Sequence, residues 1–274
     1  MGAPEGSGKF EERRNVAPPR PPDEWVRDLP EPVEKEAGTQ VKAPRPQAEL
    51  PGDLIAAIRT AGAGLTTRGR ERLVTLTAEA LAAYERGRYE EAARRISPVA
   101  ETAPLVAGVR EIAGLANYRA GKWRAAAAHL RAHYQFTGDV EHLPVVMDCE
   151  RALKHPRTVR RFYDVVRAAS PTVEVLSEAR IVMAASLAES GKPTEAIALL
   201  VETGAAKRVR NPAYRHVRQW YVLADLYERT GDVPMARELF GRVALADPGA
   251  FDVDDRLEEL GARPRGSASR SKAR

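Results

Sequence analysis

The sequence predicts an all-α chain: a solenoid of about five helix-turn-helix repeats, with a C-terminal capping helix and disordered termini. Three observations carry this. Apolar residues recur at i, i+3, i+4 and i+7, the spacing of one helical face, as in Trp220, Leu223, Ala224 and Tyr227. The helical runs come in pairs split by short turns, and the turn glycines Gly87 and Gly121 are 34 residues apart. Half of the 20 prolines fall within residues 1–51, where apolar periodicity is nearly absent.

Taken in order, residues 1–52 are a Pro-rich tail that cannot bury enough apolar surface to offset its chain entropy. Inside it, Trp25, Val26 and Leu29 share one apolar helical turn. That turn would dock on the protein's own groove or on a second protein, or would lie in a passive spacer. The folded part is expected over 53–261. It starts with a short helix holding Leu54, Ile55 and Ile58 and capped by Asp53. The Gly- and Thr-rich link over 60–69 leaves open whether that helix packs on the array.

The first repeat, 73–104, carries Ala80, Tyr84, Gly87, Tyr89, Ala92, Ile96, Val99 and Pro104. The second, 107–138, keeps the same order with Ala113-Gly114, Tyr118, Gly121, Trp123, Ala126 and Leu130. A degenerate third, 140–171, places Lys154-His155-Pro156 where the glycine turn belongs, then continues with Val159, Tyr163 and Val166. The fourth, 177–208, has Ala184, Leu187, Gly191, Pro193, Ala196 and Leu200. The fifth spans 217–248. Gly191 and Gly231 are 40 residues apart, so an insertion lies near 203–216. Phe251, Val253, Leu257 and Leu260 then form an amphipathic cap ended by Gly261, and 262–274 is a basic tail.

In the fifth repeat, small residues at Ala224 and Ala236 let two helices approach while Tyr227 and Phe240 fill the gaps beside them. Ala236→Leu should overpack at a cost of about 1–3 kcal/mol. The pattern Trp220-x2-Leu223-Ala224-x2-Tyr227, Ala236-x3-Phe240, Pro248 resembles a tetratricopeptide repeat, with Ala224 where that family usually has glycine. Together with the Ala- and Arg-rich composition, it is similar to tetratricopeptide proteins of actinobacteria.

The resemblance implies a right-handed superhelix whose first helices line a concave groove that holds a peptide or protein. Carried over by position, the lining includes Leu81 and Tyr84, then Leu115, Tyr118 and Arg119, then Arg151, and finally Tyr221 and Asp225. Tyr84 and Tyr118 occupy equivalent slots and suit either a binding ladder or packing between first helices. The Lys and Asn pattern of the family's chaperone-binding clamp is missing, with Thr77 and Leu81 in those places.

The charge divides unevenly, at −2 over 1–52, +2 over 53–261 and +5 over 262–274, so the basic balance is a property of the tail. A general nucleic-acid surface is not indicated. Two local clusters keep an RNA- or ribosome-associated alternative open. One is Lys154, Arg157, Arg160, Arg161 and Arg167 with Phe162 and Tyr163. The other, in the insertion, includes Lys207, Arg208, Arg210 and Arg215 with Tyr214.

His129 and His133 stand four apart on one helix, a chelating spacing, but no Glu completes an HExxH pattern, so no metal is expected. Cys149 between Asp148 and Glu150, with His142 and His155 nearby, reads as a small buried filler rather than a nucleophile. No phosphate-cradling glycine loop or Gly-x-Ser-x-Gly turn occurs. The expectation is a non-enzymatic scaffold without cofactor, small-molecule substrate or membrane partner. With one cysteine, no apolar leader and no run of about 18 apolar residues, it is expected in the cytoplasm.

Overall fold

The computed structural model describes residues 48–261. The Trp25 segment and the basic tail lie outside these residues. Among the described residues there are twelve helices and no strand. The first is α1 (Gly52–Ala61), followed by five pairs: α2 (Thr67–Glu85) with α3 (Tyr89–Thr102), α4 (Ala107–Arg119) with α5 (Trp123–Thr137), α6 (Leu143–Ala152) with α7 (Pro156–Ala169), α8 (Val173–Glu189) with α9 (Pro193–Glu202), and α10 (Tyr214–Arg229) with α11 (Val233–Ala246). The last helix is α12 (Val253–Glu259). Each helix packs on the next within and between pairs, and α2 meets α4, α6 meets α8, and α8 meets α10. This is the expected all-α solenoid.

The turns inside the pairs share one hydrogen-bond pattern. After α2, Arg88 N–H donates to the Ala83 carbonyl and Gly87 N–H to Tyr84. After α4, Lys122 donates to Asn117 and Gly121 to Tyr118. The fourth and fifth pairs repeat this with Lys192 to Leu187 and Asp232 to Tyr227. Such a stop requires a left-handed residue at the turn, which glycine adopts freely. The third pair has no glycine there, yet His155 N–H donates to Glu150 and Lys154 N–H to Arg151, with Lys154 at φ 62°. The degenerate repeat is therefore built like its neighbours.

It also lies within a continuous core cluster. Leu130 of α5, Leu143 at the start of α6, Val146 and Met147 of α6, Val159, Phe162, Tyr163 and Val166 of α7, and Ala179, Val182 and Met183 of α8 pack together. Each large apolar side chain fully withdrawn from water contributes roughly 1.5–3 kcal/mol. In α8, Ile181 through Ser186 are buried without a break, as expected for a helix flanked by α6, α7, α9 and α10.

Both ends are covered. Ile58 of α1 is fully buried against Leu73, Ala80, Ile96 and Val109, so this helix does pack on the first repeat. It begins at Gly52 after Pro51, which places Asp53 in the first turn rather than at the cap, and Asp53 makes no capping bond there. At the other end α12 buries Val253 and Leu257. Phe251 precedes that helix at φ 56° and lays its ring on Tyr221, centroids 4.4 Å apart.

The insertion between α9 and α10 is fastened to the fifth pair. Trp220 Nε1 donates to the Lys207 carbonyl at 3.3 Å, and Arg242 Nη1 donates to the Ala206 carbonyl at 2.7 Å. One role of the repeat's tryptophan here is thus to satisfy a carbonyl that the longer connection would leave exposed.

Candidate partner-binding site

The residues that the sequence assigns to a groove fall into three clusters, two joining consecutive first helices and the third joining the last first helix to the cap. In the first, Tyr84 of α2 leans edge-on against Tyr89 at the start of α3, centroids 5.4 Å apart. Arg119 of α4 lies over that Tyr89 ring, 4.4 Å from its centroid, and donates to its hydroxyl. Tyr84 is half-buried, and burial raises its phenol above the ordinary value. Leu81 and Leu115 are also half-buried. A shallow surface cavity of about 480 Å³ opens beside Arg88, Tyr89, Glu91 and Arg119.

The second cluster joins α4, α6 and α8. Tyr118 occupies the slot equivalent to Tyr84 and leans edge-on against Trp123 at 5.5 Å, as Tyr84 does against Tyr89. Its hydroxyl donates to Asp148 at 2.8 Å. Asp148 in turn accepts two bonds at 2.9 Å from Arg151, whose other arm reaches Glu189. Arg151 is 4 % exposed. Burial opposes its charge, but Asp148 and Glu189 outweigh this and hold the guanidinium charged above its ordinary range.

The third cluster joins α10 to the cap. Tyr221, 4 % exposed, donates to Asp252, while Arg256 of α12 bonds Asp225 at 2.9 Å and also Glu228. Asp225 is 6 % exposed. Arg151, Tyr221 and Asp225 are thus occupied between repeats rather than displayed. Of the expected lining, Leu81, Tyr84, Leu115, Tyr118 and Arg119 keep partial exposure, all in the first two repeats.

The basic cluster over 207–218 is paired in part. Arg208 meets Glu238 at 2.7 Å, Arg215 meets Glu174 at 2.9 Å, and Arg218 meets Glu178 at 2.9 Å. Lys207 and Arg210 are exposed. In the other basic cluster, Phe162 and Tyr163 are buried in the core, and Asp164 takes Arg160 and Arg167.

Cys149 is fully buried beside Ala126 and Ala127, and burial together with Asp148 and Glu150 pushes its thiol far above the ordinary value. Neither nearby histidine serves it, since His155 pairs with Glu150 and His142 with Glu111. The histidines on α5 also part company. His129 Nδ1 accepts from Arg110 at 2.9 Å, whereas His133 is gathered with His142 and Glu111. That gathering has no local sequence signature, because its members lie on three successive elements.

The tetratricopeptide repeat family matches residues 77–140 and 182–251. These two stretches are similar to the repeats of that family. No curated protein matches the chain. The unmatched interval between them holds all of α6 and α7 and the first part of α8, and its glycine-free turn makes the same bonds as the glycine turns of the matched stretches on either side. No described helix is long and apolar enough to cross a membrane.

Proposed function

We propose that this protein is a non-enzymatic scaffold whose tetratricopeptide array holds a peptide or protein partner. The observation that carries the reading is the tandem of matched repeats itself, since such repeats generally mediate protein–protein interaction. The binding face is assigned to the first two repeats, around Leu81, Tyr84, Leu115 and Arg119. There the first helices keep aromatic and apolar surface partly open beside a cavity. Tyrosine suits such a face because it offers contact area and a polar tip with few rotors to freeze. In the later repeats, burial and ion pairing of Arg151, Tyr221 and Asp225 argue against their use as contacts.

The test is affinity capture from native lysate at low and moderate salt, with wild type, Tyr84→Ala/Leu115→Ser and Lys207→Ala/Arg210→Ala. A protein partner retained at moderate salt and lost only in the first variant supports the scaffold. RNA lost on raising salt and absent from the basic variant would overturn it, because phosphate contacts weaken steeply with salt.

A further inference from the structure

We propose that Glu111, His133 and His142 form a divalent transition-metal site suited to Zn²⁺, at the junction of the second and third repeats. One carboxylate oxygen and one nitrogen from each histidine lie within 4.8 Å of one another. Glu111 comes from α4, His133 from the last turns of α5, and His142 from the residue preceding α6. His142 Nε2 is already 2.9 Å from Glu111 Oε1, and the two imidazole rings are 5.6 Å apart.

The second observation is how His133 is held. Its Nδ1 lies 3.1 Å from the Ala107 carbonyl, which only accepts. The proton therefore sits on Nδ1, and Nε2 of the neutral ring is left with its lone pair. A ligating histidine is oriented in this way, with its other nitrogen donating to a carbonyl or carboxylate. Two imidazoles and one carboxylate suit Zn²⁺ and its neighbours in the transition series, whereas Ca²⁺ and Mg²⁺ need oxygen ligands.

The distances permit closure. Metal–ligand bonds of about 2.0–2.2 Å put tetrahedral ligand atoms roughly 3.3 Å apart, so side-chain adjustment of about 1.5 Å suffices. The His133 side chain is buried, while the side chains of His142 and Glu111 are 19 % and 38 % exposed, which gives the ion a route in. Three protein ligands leave a fourth position for water or an incoming donor. Binding would tie α4, α5 and the start of α6 together, and this does not depend on which partner the array holds.

The experiment uses tag-free full-length chain stripped with chelator. It is titrated with Zn²⁺ by calorimetry and with Co²⁺ by visible absorption, and thermal unfolding is followed with and without Zn²⁺. The expected result is one ion per chain, a higher Tm with Zn²⁺, and histidine ring resonances of His133 and His142 that move on Zn²⁺ addition while those of His155 do not. Glu111→Gln and His142→Gln should each raise the Zn²⁺ Kd by more than about tenfold, and His129→Gln should bind as wild type. Absence of stoichiometric binding, equal affinity in the Glu111→Gln and His142→Gln variants, or unmoved His133 and His142 resonances in wild type would overturn the site. The resonance measurement needs no variant, so a folding defect in either substitution leaves it decisive.

Discussion

Lys154 occupies, at φ 62°, the backbone position that Gly121 occupies at φ 72° one repeat earlier, and both peptides make the same helix-ending bonds. A non-glycine residue in the left-handed region costs about 1–2 kcal/mol. Lys154→Gly removes that strain. It also loosens the unfolded chain by roughly 0.5–1 kcal/mol and removes an exposed contact to Glu189 that contributes little. Denaturant unfolding should show Lys154→Gly between neutral and about 1 kcal/mol more stable. Gly121→Ala, whose added Cβ meets nothing closer than 4.0 Å, should lose about 1 kcal/mol through backbone strain alone.

The helix pairs were legible because their evidence is local. A 3.6-residue stripe, a turn glycine and an alanine-aromatic alternation each sit within one repeat, so Ala80, Ala113, Ala126 and Ala236 could be placed in the core from order alone, and all are fully buried. The left-handed lysine was not legible, since residue type argues against that conformation and only the packed third repeat imposes it. The site was legible in part. Helical position put Tyr118, Arg151, Tyr221 and Asp225 on first helices, but could not tell a face open to solvent from one closed by the next repeat. Their partners Asp148, Glu189, Asp252 and Arg256 lie 30 or more residues away, or pair through residues that do. The same limit hid the meeting of His133 with Glu111 and His142, while the nearer His129 drew attention on spacing alone.

Gly114 is required by volume rather than by backbone conformation. A Cβ there would stand 2.5 Å from both Cγ and Cδ2 of Leu130, which is itself buried in the core. Overpacking of this kind costs about 1–3 kcal/mol. Gly114→Ala should therefore lower the unfolding midpoint, whereas in the background of Leu130→Ala the same change should cost measurably less. A double-mutant cycle with no coupling between the two positions would refute the contact.

Arg151 holds two carboxylates, Asp148 and Glu189, in a mostly buried setting. Removing one side of such a cluster leaves charge without compensation and costs about 3–5 kcal/mol, far more than an exposed pair. Arg151→Met should therefore destabilise much more than Arg208→Met, whose partner Glu238 is on the surface. Arg151→Lys should recover only part of the loss, because a single ammonium cannot reproduce the forked contact with Asp148 while also reaching Glu189. Chemical denaturation of the three variants separates these ranks.

His129 supplies a pH dependence of known sign. Burial, and after it the Arg110 guanidinium, lower its pKa below the ordinary 6.5, and Nδ1 accepts from Arg110 so that protonation would set two donors face to face. Well above 6.5 neither folded nor unfolded chain protonates this ring, and the group contributes nothing to pH dependence. As pH falls below 6.5, the unfolded chain binds a proton that the folded chain refuses, so stability falls until the lowered folded value is reached. His129→Gln, whose amide oxygen can accept from Arg110, should lose less stability than wild type between pH 7 and about pH 5. Both proteins should be unfolded in chelator, so that metal at His133 and His142 does not enter the comparison. Parallel stability–pH curves for the two would show that His129 is equally free to protonate in both states.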